Sequence, residues 1–282
     1  MIDVVTTIEK NQLFGSYGHL SLLVPNRKLA IEPGQFGMLR PHQAFEPILR
    51  RAMAIYRVKS SPAGTHVEFI YQVFGRGTEA LRRLVVGQTV DCLLPLGKPF
   101  QLDSVLVGGR EAILVAGGVG SAALFLLAET LAKQGVSVRL FLGGRSAIDL
   151  IGLDDFIRIG CKVHVATNDG SRGVVGFVTH PLERFLLDHA QDVKAGKYVL
   201  YTCGPPLMLR RVAEIADEAQ LLGYASLEER MACGFGVCVG CVVGIKEANA
   251  GLKGETDFDY QPLMKSRCHW EFQSGPCTGG KP

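Results

Sequence analysis

Between Val4 and Phe100 the apolar residues come in short runs rich in Val, Ile, Phe and Tyr, broken by Pro25-Asn26, Pro33-Gly34, Ser61-Pro62-Ala63-Gly64 and Val86-Gly87. Runs this short and this evenly punctuated predict the strands of a small antiparallel β-barrel. One stretch has helical spacing instead, Glu79 to Leu84, and the segment Tyr71-Gln72-Val73-Phe74-Gly75-Arg76-Gly77-Thr78 leads into it. A helix N-terminus approached by glycines offers free backbone N–H groups to a phosphate. Gly75-x-Gly77 taken alone fits a plain strand-to-helix turn as well.

Past residue 100 the pattern changes. Ala112 to Ala116 is an uninterrupted apolar run of buried-strand type, Gly117-Gly118-Val119-Gly120-Ser121 is a turn, and Ala122 to Gln134 has helical spacing. Strand, glycine loop and helix in this order form a phosphate-type βα unit, although the full G-x-G-x-x-G fingerprint is missing and a structural turn remains open. Further strands are predicted at Val136 to Leu142, Lys162 to Thr167 and Lys197 to Thr202, and a helix at Leu207 to Ala219. These strands end in Gly143-Gly144-Arg145-Ser146, Asn168-Asp169-Gly170-Ser171 and Cys203-Gly204-Pro205-Pro206. In an open parallel sheet such loops gather at one edge, where ligands bind. The apolar run from Ala112 to Ala132 is interrupted by glycines, Ser121 and Glu129, so it reads as strand, turn and buried helix, and no transmembrane segment is expected.

Near the end, Cys233-Gly-Phe-Gly-Val-Cys238-Val-Gly-Cys241 places three thiols in a C-x4-C-x2-C spacing, the pattern of plant-type 2Fe-2S centres when a fourth Cys follows. Gly234, Gly236 and Gly240 permit the tight curl such a loop needs. Cys238-x-x-Cys241 alone also suits zinc or a disulfide. Three cysteines crowded into nine residues, rather than two matched pairs, favour iron and sulfide. The chain has 282 residues, 47% of them apolar and 20% charged, and a net charge of +3, a globular composition with room for two or three domains. That charge is too small to imply nucleic acid or a membrane surface as partner. The first ten residues lack a basic stretch followed by an apolar one, so no signal peptide is expected, and a cytoplasmic location with reduced thiols follows. The histidines are scattered without ligand spacing.

Taken together these segments resemble the ferredoxin-NADP reductase superfamily and, within it, the iron-sulfur electron-transfer subunits of class B dihydroorotate dehydrogenases. The resemblance rests on Arg51-Ala52-Met53-Ala54, Gly75-Arg76-Gly77-Thr78, Pro95-Leu96-Gly97, Gly117-Gly118-Val119-Gly120, Thr167-Asn168-Asp169-Gly170-Ser171, Cys203-Gly204-Pro205-Pro206-Leu207-Met208 and the cysteine set, in that order along the chain. It implies a multidomain chain: an antiparallel FAD-binding β-barrel at 1–102, an α/β parallel-sheet NAD domain at 103–225, and a small 2Fe-2S domain at 226–282. Arg51, Met53, Ala54, Gly75, Gly77 and Thr78 would meet FAD. Gly117, Gly118, Gly120, Gly204, Pro205 and Met208 would meet NAD, with Cys203 beside the reacting rings as the catalytic position. Without the resemblance, Cys203 reads as a small buried hydrophobe.

The cluster ligands so implied are Cys233, Cys238, Cys241 and Cys268, the last preceded by Lys265-Ser266-Arg267; Cys277 is the competing fourth ligand. Three departures from the family pattern stand out. Ala52, Met53 and Ala54 replace a Pro, an aromatic or aliphatic residue and a Ser, which removes a hydroxyl near the flavin. Asn168 stands where some members have Asp. Gly275-Pro276 lies further from Cys268 than expected. The implied partner is an FMN-containing dihydroorotate dehydrogenase catalytic subunit, two of each chain forming a heterotetramer, with NAD(H) as the soluble substrate. Two alternatives remain: a small subunit of a ferredoxin-NADP or sulfide oxidoreductase complex, and a zinc-stabilised interaction module without redox function.

Overall fold

The computed structural model describes residues 1–42, 48–245 and 259–262, the last four and 242–245 by backbone alone. The first unit comprises β1 (Ile2–Phe14), β2 (Tyr17–Pro25), β3 (Phe36–Pro41), β4 (Arg51–Ala54), β5 (Arg57–Ser61), β6 (Gly64–Gln72), α1 (Gly75–Arg82) and β7 (Thr89–Leu96). The strands are antiparallel in the order β4-β3-β7-β1-β2-β6-β5. The two ends meet because β4 and β5 are one strand broken at Ile55 and Tyr56. The Ile55 N–H donates to the Gln35 carbonyl at 3.2 Å, and the next N–H, of Tyr56, donates the opposite way to Glu68 at 2.8 Å. Six strands thereby close into a barrel, which leaves no unpaired edge.

Alternation along the strands fills the interior with Leu20, Leu22, Val24, Met53, Val67, Phe69, Val90 and Leu94, and α1 contributes Leu81. Helix α1 begins four residues before the predicted Glu79, so Gly75 and Gly77 form its first turn instead of leading up to it. Gly75 enters at φ +78°, and the Thr78 hydroxyl accepts from the Phe74 N–H at 2.6 Å, which fastens the chain at the helix start.

The second unit is a parallel sheet. After α2 (Asp103–Leu106) come β8 (Glu111–Gly117), a 3-10 turn at Gly118–Gly120, α3 (Ser121–Lys133), β9 (Val138–Gly144), α4 (Leu153–Arg158), β10 (Lys162–Thr167), β11 (Val174–Val175), α5 (Thr179–Asp188), α6 (Ala190–Lys194), β12 (Tyr198–Cys203), α7 (Pro206–Glu218) and β13 (Gly223–Ser226). The order is β11-β10-β9-β8-β12-β13. The chain therefore builds outward from β8 in one direction and then returns to its other side, which makes the gap between β8 and β12 a topological switch point. Phe141, Leu182, Phe185, Val212 and Ile215 fill one face of the sheet beneath α5 and α7.

Helix α3 covers the other face and is apolar nearly all round because it is sandwiched. Leu124, Phe125 and Leu127 pack on the sheet cluster, while Leu126 joins the barrel core. Each such buried Leu or Phe contributes about 1.5–3 kcal/mol. Among the described residues no helix is long and apolar enough to cross a membrane. The two units are clamped by polar groups as well. The Tyr56 hydroxyl donates to Asp155 at 2.6 Å, and Tyr17 donates to the buried Asp149 at 2.6 Å. Arg57 lies within 3.6 Å of Glu68 and Glu129 and 3.4 Å of Asp155. A final pair, β14 (Val242–Ile245) and β15 (Asp259–Pro262), runs antiparallel just after Cys241.

Candidate functional site

Directly opposite residues of antiparallel strands share a face. Phe36 pairs with Ala54 and Met38 with Ala52, while Phe36 also pairs with Leu96 and Met38 with Leu93. Phe36, Met38, Ala52, Ala54, Leu93 and Leu96 thus form an apolar patch on the outside of the barrel. Ala52 is exposed and Ala54 half-buried, and the small side chains leave a shelf. Ala54 packs against the core of the parallel-sheet unit, so the shelf runs into the cleft between the units. Met53 points the other way, into the barrel core, and only its backbone borders the shelf.

Arg51, at the head of β4, reaches α1. A Cβ built on Gly77 would lie 2.0 Å from Nε and 2.5 Å from Cζ of Arg51, so the guanidinium is laid against the bare Cα of the helix's first turn. Its Nη1 donates to the Leu49 carbonyl at 2.8 Å, and among the described residues no carboxylate pairs with it. No side chain caps α1. An unpaired guanidinium beside uncapped N–H groups is suited to a phosphate or pyrophosphate.

At the switch point the tips of β8 and β12 interlock, with Ala116 opposite Cys203. A Cβ on Gly117 would strike Met208 Sδ at 2.7 Å and Pro205 Cδ at 2.8 Å. One on Gly120 would strike the Cys203 carbonyl oxygen at 2.5 Å, and one on Gly204 would strike Met208 Cε at 2.6 Å. Gly117, Gly120, Cys203, Gly204, Pro205 and Met208 are therefore packed against one another. Gly118 alone, at φ +53° with nothing within 4 Å, presents open backbone to a ligand. The Cys203 thiol is fully buried. Burial raises its pKa well above the ordinary value, so it stays a neutral thiol.

Two contributors carry no local sequence signal. Glu228 follows β13, and the pairing of β13 with β12 brings it near Cys203. The residue reaches solvent, yet protein crowds its carboxyl and desolvation raises its pKa. Arg57, in the interdomain clamp, also stacks over Phe125 with Cζ 4.6 Å from the ring centre. Only the tertiary fold assembles either arrangement.

The cysteine loop sits on the same outer barrel face as the shelf. Gly234 lies against Met38 and Leu96: a Cβ there would be 2.5 Å from Met38 Cγ and 3.3 Å from Leu96 Cδ1. Within the loop Gly234, Gly236 and Val239 have φ of +77°, +82° and +53°, and alternating handedness of this kind turns successive N–H groups inward. Burial alone would raise the Cys233 thiol. The N–H groups of Cys238, Phe235 and Val237 and the Cys238 thiol, all directed at its sulfur, outweigh burial and lower its pKa to about 6. A thiolate held by converging N–H donors is what an iron-sulfur cluster requires of a ligand. Cys241 is buried and Cys238 exposed. Cys268 and Cys277 lie outside the described residues, and within those no three metal-ligating side chains meet at one point.

Comparison with known proteins places this geometry. The chain has the architecture of flavin-dependent ferredoxin reductases: it superposes with a TM-score of 0.70 and 26% identity on an NADH-dependent reduced ferredoxin-NADP oxidoreductase, over 84% of this chain and 81% of that one. The ferredoxin reductase of a carbazole 1,9a-dioxygenase shares the fold at a TM-score of 0.63 and 20% identity, over 78% of this chain and 66% of that one. Residues 228–254 match the iron-sulfur cluster binding domain of dihydroorotate dehydrogenase B. The dihydroorotate dehydrogenase B (NAD(+)) electron transfer subunit of Bacillus caldolyticus is 37% identical over 222 residues, 79% of this chain and 81% of that protein. The corresponding homolog from Aquifex aeolicus is 37% identical over 242 residues, 85% of this chain and 88% of that protein. The chain belongs to the family of dihydroorotate dehydrogenase B electron transfer subunits.

Proposed function

We propose that this chain carries electrons between an FMN-containing dihydroorotate dehydrogenase catalytic subunit and NAD, in the cytoplasm and as part of pyrimidine biosynthesis, with FAD and a 2Fe-2S cluster as resident groups. The observation that carries this reading is the seating of the Cys233–Cys241 loop on the barrel face that also forms the Ala52–Ala54 shelf, at the mouth of the interdomain cleft. A bound flavin exchanges a hydride with nicotinamide and single electrons with a cluster, and so belongs between the two. Arg51 and the first turn of α1, at Gly75, Gly77 and Thr78, hold its pyrophosphate. Ala52 and Ala54 leave room for the ring, and the Met53 backbone borders it.

Gly118 gives the NAD pyrophosphate access to backbone. Gly117, Gly120, Gly204, Pro205 and Met208 lock the two strand tips together, and Cys203 walls the site where nicotinamide meets the shelf. The buried Cys203 thiol stays neutral, and hydride exchange needs no side-chain base. Cys233, Cys238, Cys241 and Cys268 hold the cluster. We assign 1–102 to the FAD domain, 103–225 to the NAD domain and 226–282 to the cluster domain, and a heterotetramer of two chains of each kind to the assembly.

The test is the absorption spectrum of anaerobically purified protein together with the identity of the copurifying subunit. Flavin and 2Fe-2S bands with an FMN-binding partner, and NAD reduction by dihydroorotate, are the expected result. A colourless zinc protein would overturn the reading. The 26% identity to the NADH-dependent ferredoxin-NADP oxidoreductase supports a second reading, the small subunit of a ferredoxin-linked complex. Turnover of NADH with ferredoxin and none with dihydroorotate would select it.

A further inference from the structure

The geometry points to Met38 as the positioning residue that sets how closely the cysteine loop approaches the β4 shelf. Met38 is completely buried although it lies on the outside of the barrel, and what buries it is the loop. Its Cγ and Sδ would be 2.5 Å and 3.1 Å from a Cβ at Gly234, so the loop backbone rests on the thioether itself. Phe36, Leu93, Leu96 and, from the loop side, Met231 complete this small cluster. The other apolar side chains of the loop do not anchor it, since Phe235, Val237 and Val239 are 45%, 71% and 56% exposed.

Met38 also faces the shelf, being directly opposite Ala52 on the neighbouring strand. One side chain therefore touches the residue next to Cys233 and borders the surface assigned to the flavin. An unbranched thioether adapts its shape to such a gap. Truncating it removes the support between the two surfaces and leaves the barrel interior and the switch-point loops alone. The inference rests on the electron-transfer reading above.

Three variants of the purified holoprotein test it: Met38→Ala, Met38→Leu as the volume-conserving control, and Met231→Ala, which opens the same cluster from the loop side without touching the barrel. NADH is mixed rapidly with each, and flavin bleaching and the signal of the reduced cluster are followed separately, with iron and sulfide counted per chain. In Met231→Ala the flavin is reduced by NADH at the parent rate while passage to the cluster slows, and in Met38→Ala passage to the cluster slows about tenfold or more, beyond any change in flavin reduction. Met38→Leu restores it to within about threefold. Trypsin supplies a readout independent of turnover: cleavage after the exposed Arg230 accelerates about tenfold in Met38→Ala as the loop opens. Parent rates of cluster reduction and of cleavage in both alanine variants, with iron retained, would overturn the proposal. If Met38→Ala does not fold, Met231→Ala decides on the same criteria. A parent protein without flavin and cluster bands defeats the functional reading instead, and the tryptic rate then decides whether Met38 seats the loop.

Discussion

At the start of α1, a Cβ on Gly77 would land on the guanidinium of Arg51; at the end of β8, Cβ atoms on Gly117 and Gly120 would land on Pro205, Met208 and the carbonyl of Cys203. Both loops are glycine-rich, and both are assigned above to cofactors. In the first, glycine makes room for a cation that has no acid partner among the described residues. In the second, two of the three glycines make room for the chain itself, and only Gly118 stays open. A glycine motif thus combines two demands, close packing of the scaffold and close approach of a ligand, and substitution separates them.

The largest effect is expected from Gly120→Val. Its side chain must displace the backbone of Cys203 and Gly204, and overpacking of this kind costs about 3 kcal/mol or more. Urea denaturation of the purified protein should show a lower midpoint with an unchanged slope. A parental midpoint would mean that Gly120 serves the ligand rather than the scaffold.

Gly77→Ala and Arg51→Gln should behave in the opposite way. Both leave the denaturation midpoint of flavin-free protein within about 1 kcal/mol and weaken FAD by about 10–100-fold, the worth of a charge-assisted hydrogen bond. Titration of apoprotein with FAD, followed by flavin fluorescence, measures this. Loss of stability without loss of affinity would return Gly77 to the packing class.

The two loops belong to units joined by the polar clamp around Arg57, and that clamp is acid-sensitive. Burial opposes ionisation of Glu68, but the hydrogen bond from His19 and the charges of Arg57 and Lys59 prevail and lower its pKa from 4.5 to about 2. The folded-state value is depressed, so the stabilisation is complete above pH 4.5 and is lost as pH falls toward 2. Asp155 shifts the same way: the Tyr56 hydrogen bond and the Arg57 charge outweigh burial. The parent should lose about 2 kcal/mol from Glu68 between neutral pH and pH 3, and Glu68→Gln should lose correspondingly less over that interval. Parallel losses in the two proteins would remove Glu68 from the clamp.

How much of this was legible in sequence follows the range of the interactions. The strand Lys162 to Thr167 is delimited by its own residues and ends where its apolar pattern does. Helix α5 and the short strands β11 and β13 were not foreseen. Helix α5 carries Pro181 in its first turn, and β11 is two residues long, so the local pattern was weak. The barrel's closure through Ile55 and Tyr56 depends on two consecutive N–H groups bonding in opposite directions, to residues 20 earlier and 12 later. The same limit applies to the site. Arg51, Gly77 and the cysteines stand in motifs, whereas Glu228 and Arg57 acquire their surroundings from residues distant along the chain. Met53 stands in a motif as well, but strand alternation sends its side chain into the barrel core and leaves only its backbone along the shelf.

The smallest effect is also the one aimed most directly at the shelf. Ala54, which the family resemblance sets against a serine, pairs with Phe36 and borders the core of the parallel-sheet unit. If the shelf receives the flavin ring, Ala54→Ser returns a hydroxyl to within reach of it, and a net hydrogen bond contributes about 0.5–1.5 kcal/mol. FAD should then bind roughly 2–10-fold more tightly, or the flavin potential should move by the equivalent free energy, with the denaturation midpoint of flavin-free protein almost unchanged. Arg51 and Gly77 are assigned above to the pyrophosphate and would report nothing about the ring, so this substitution tests the half of the site that they leave untouched. An unaltered affinity together with an unaltered potential would place the ring elsewhere and reduce the Ala52–Ala54 surface to a seat for the cysteine loop.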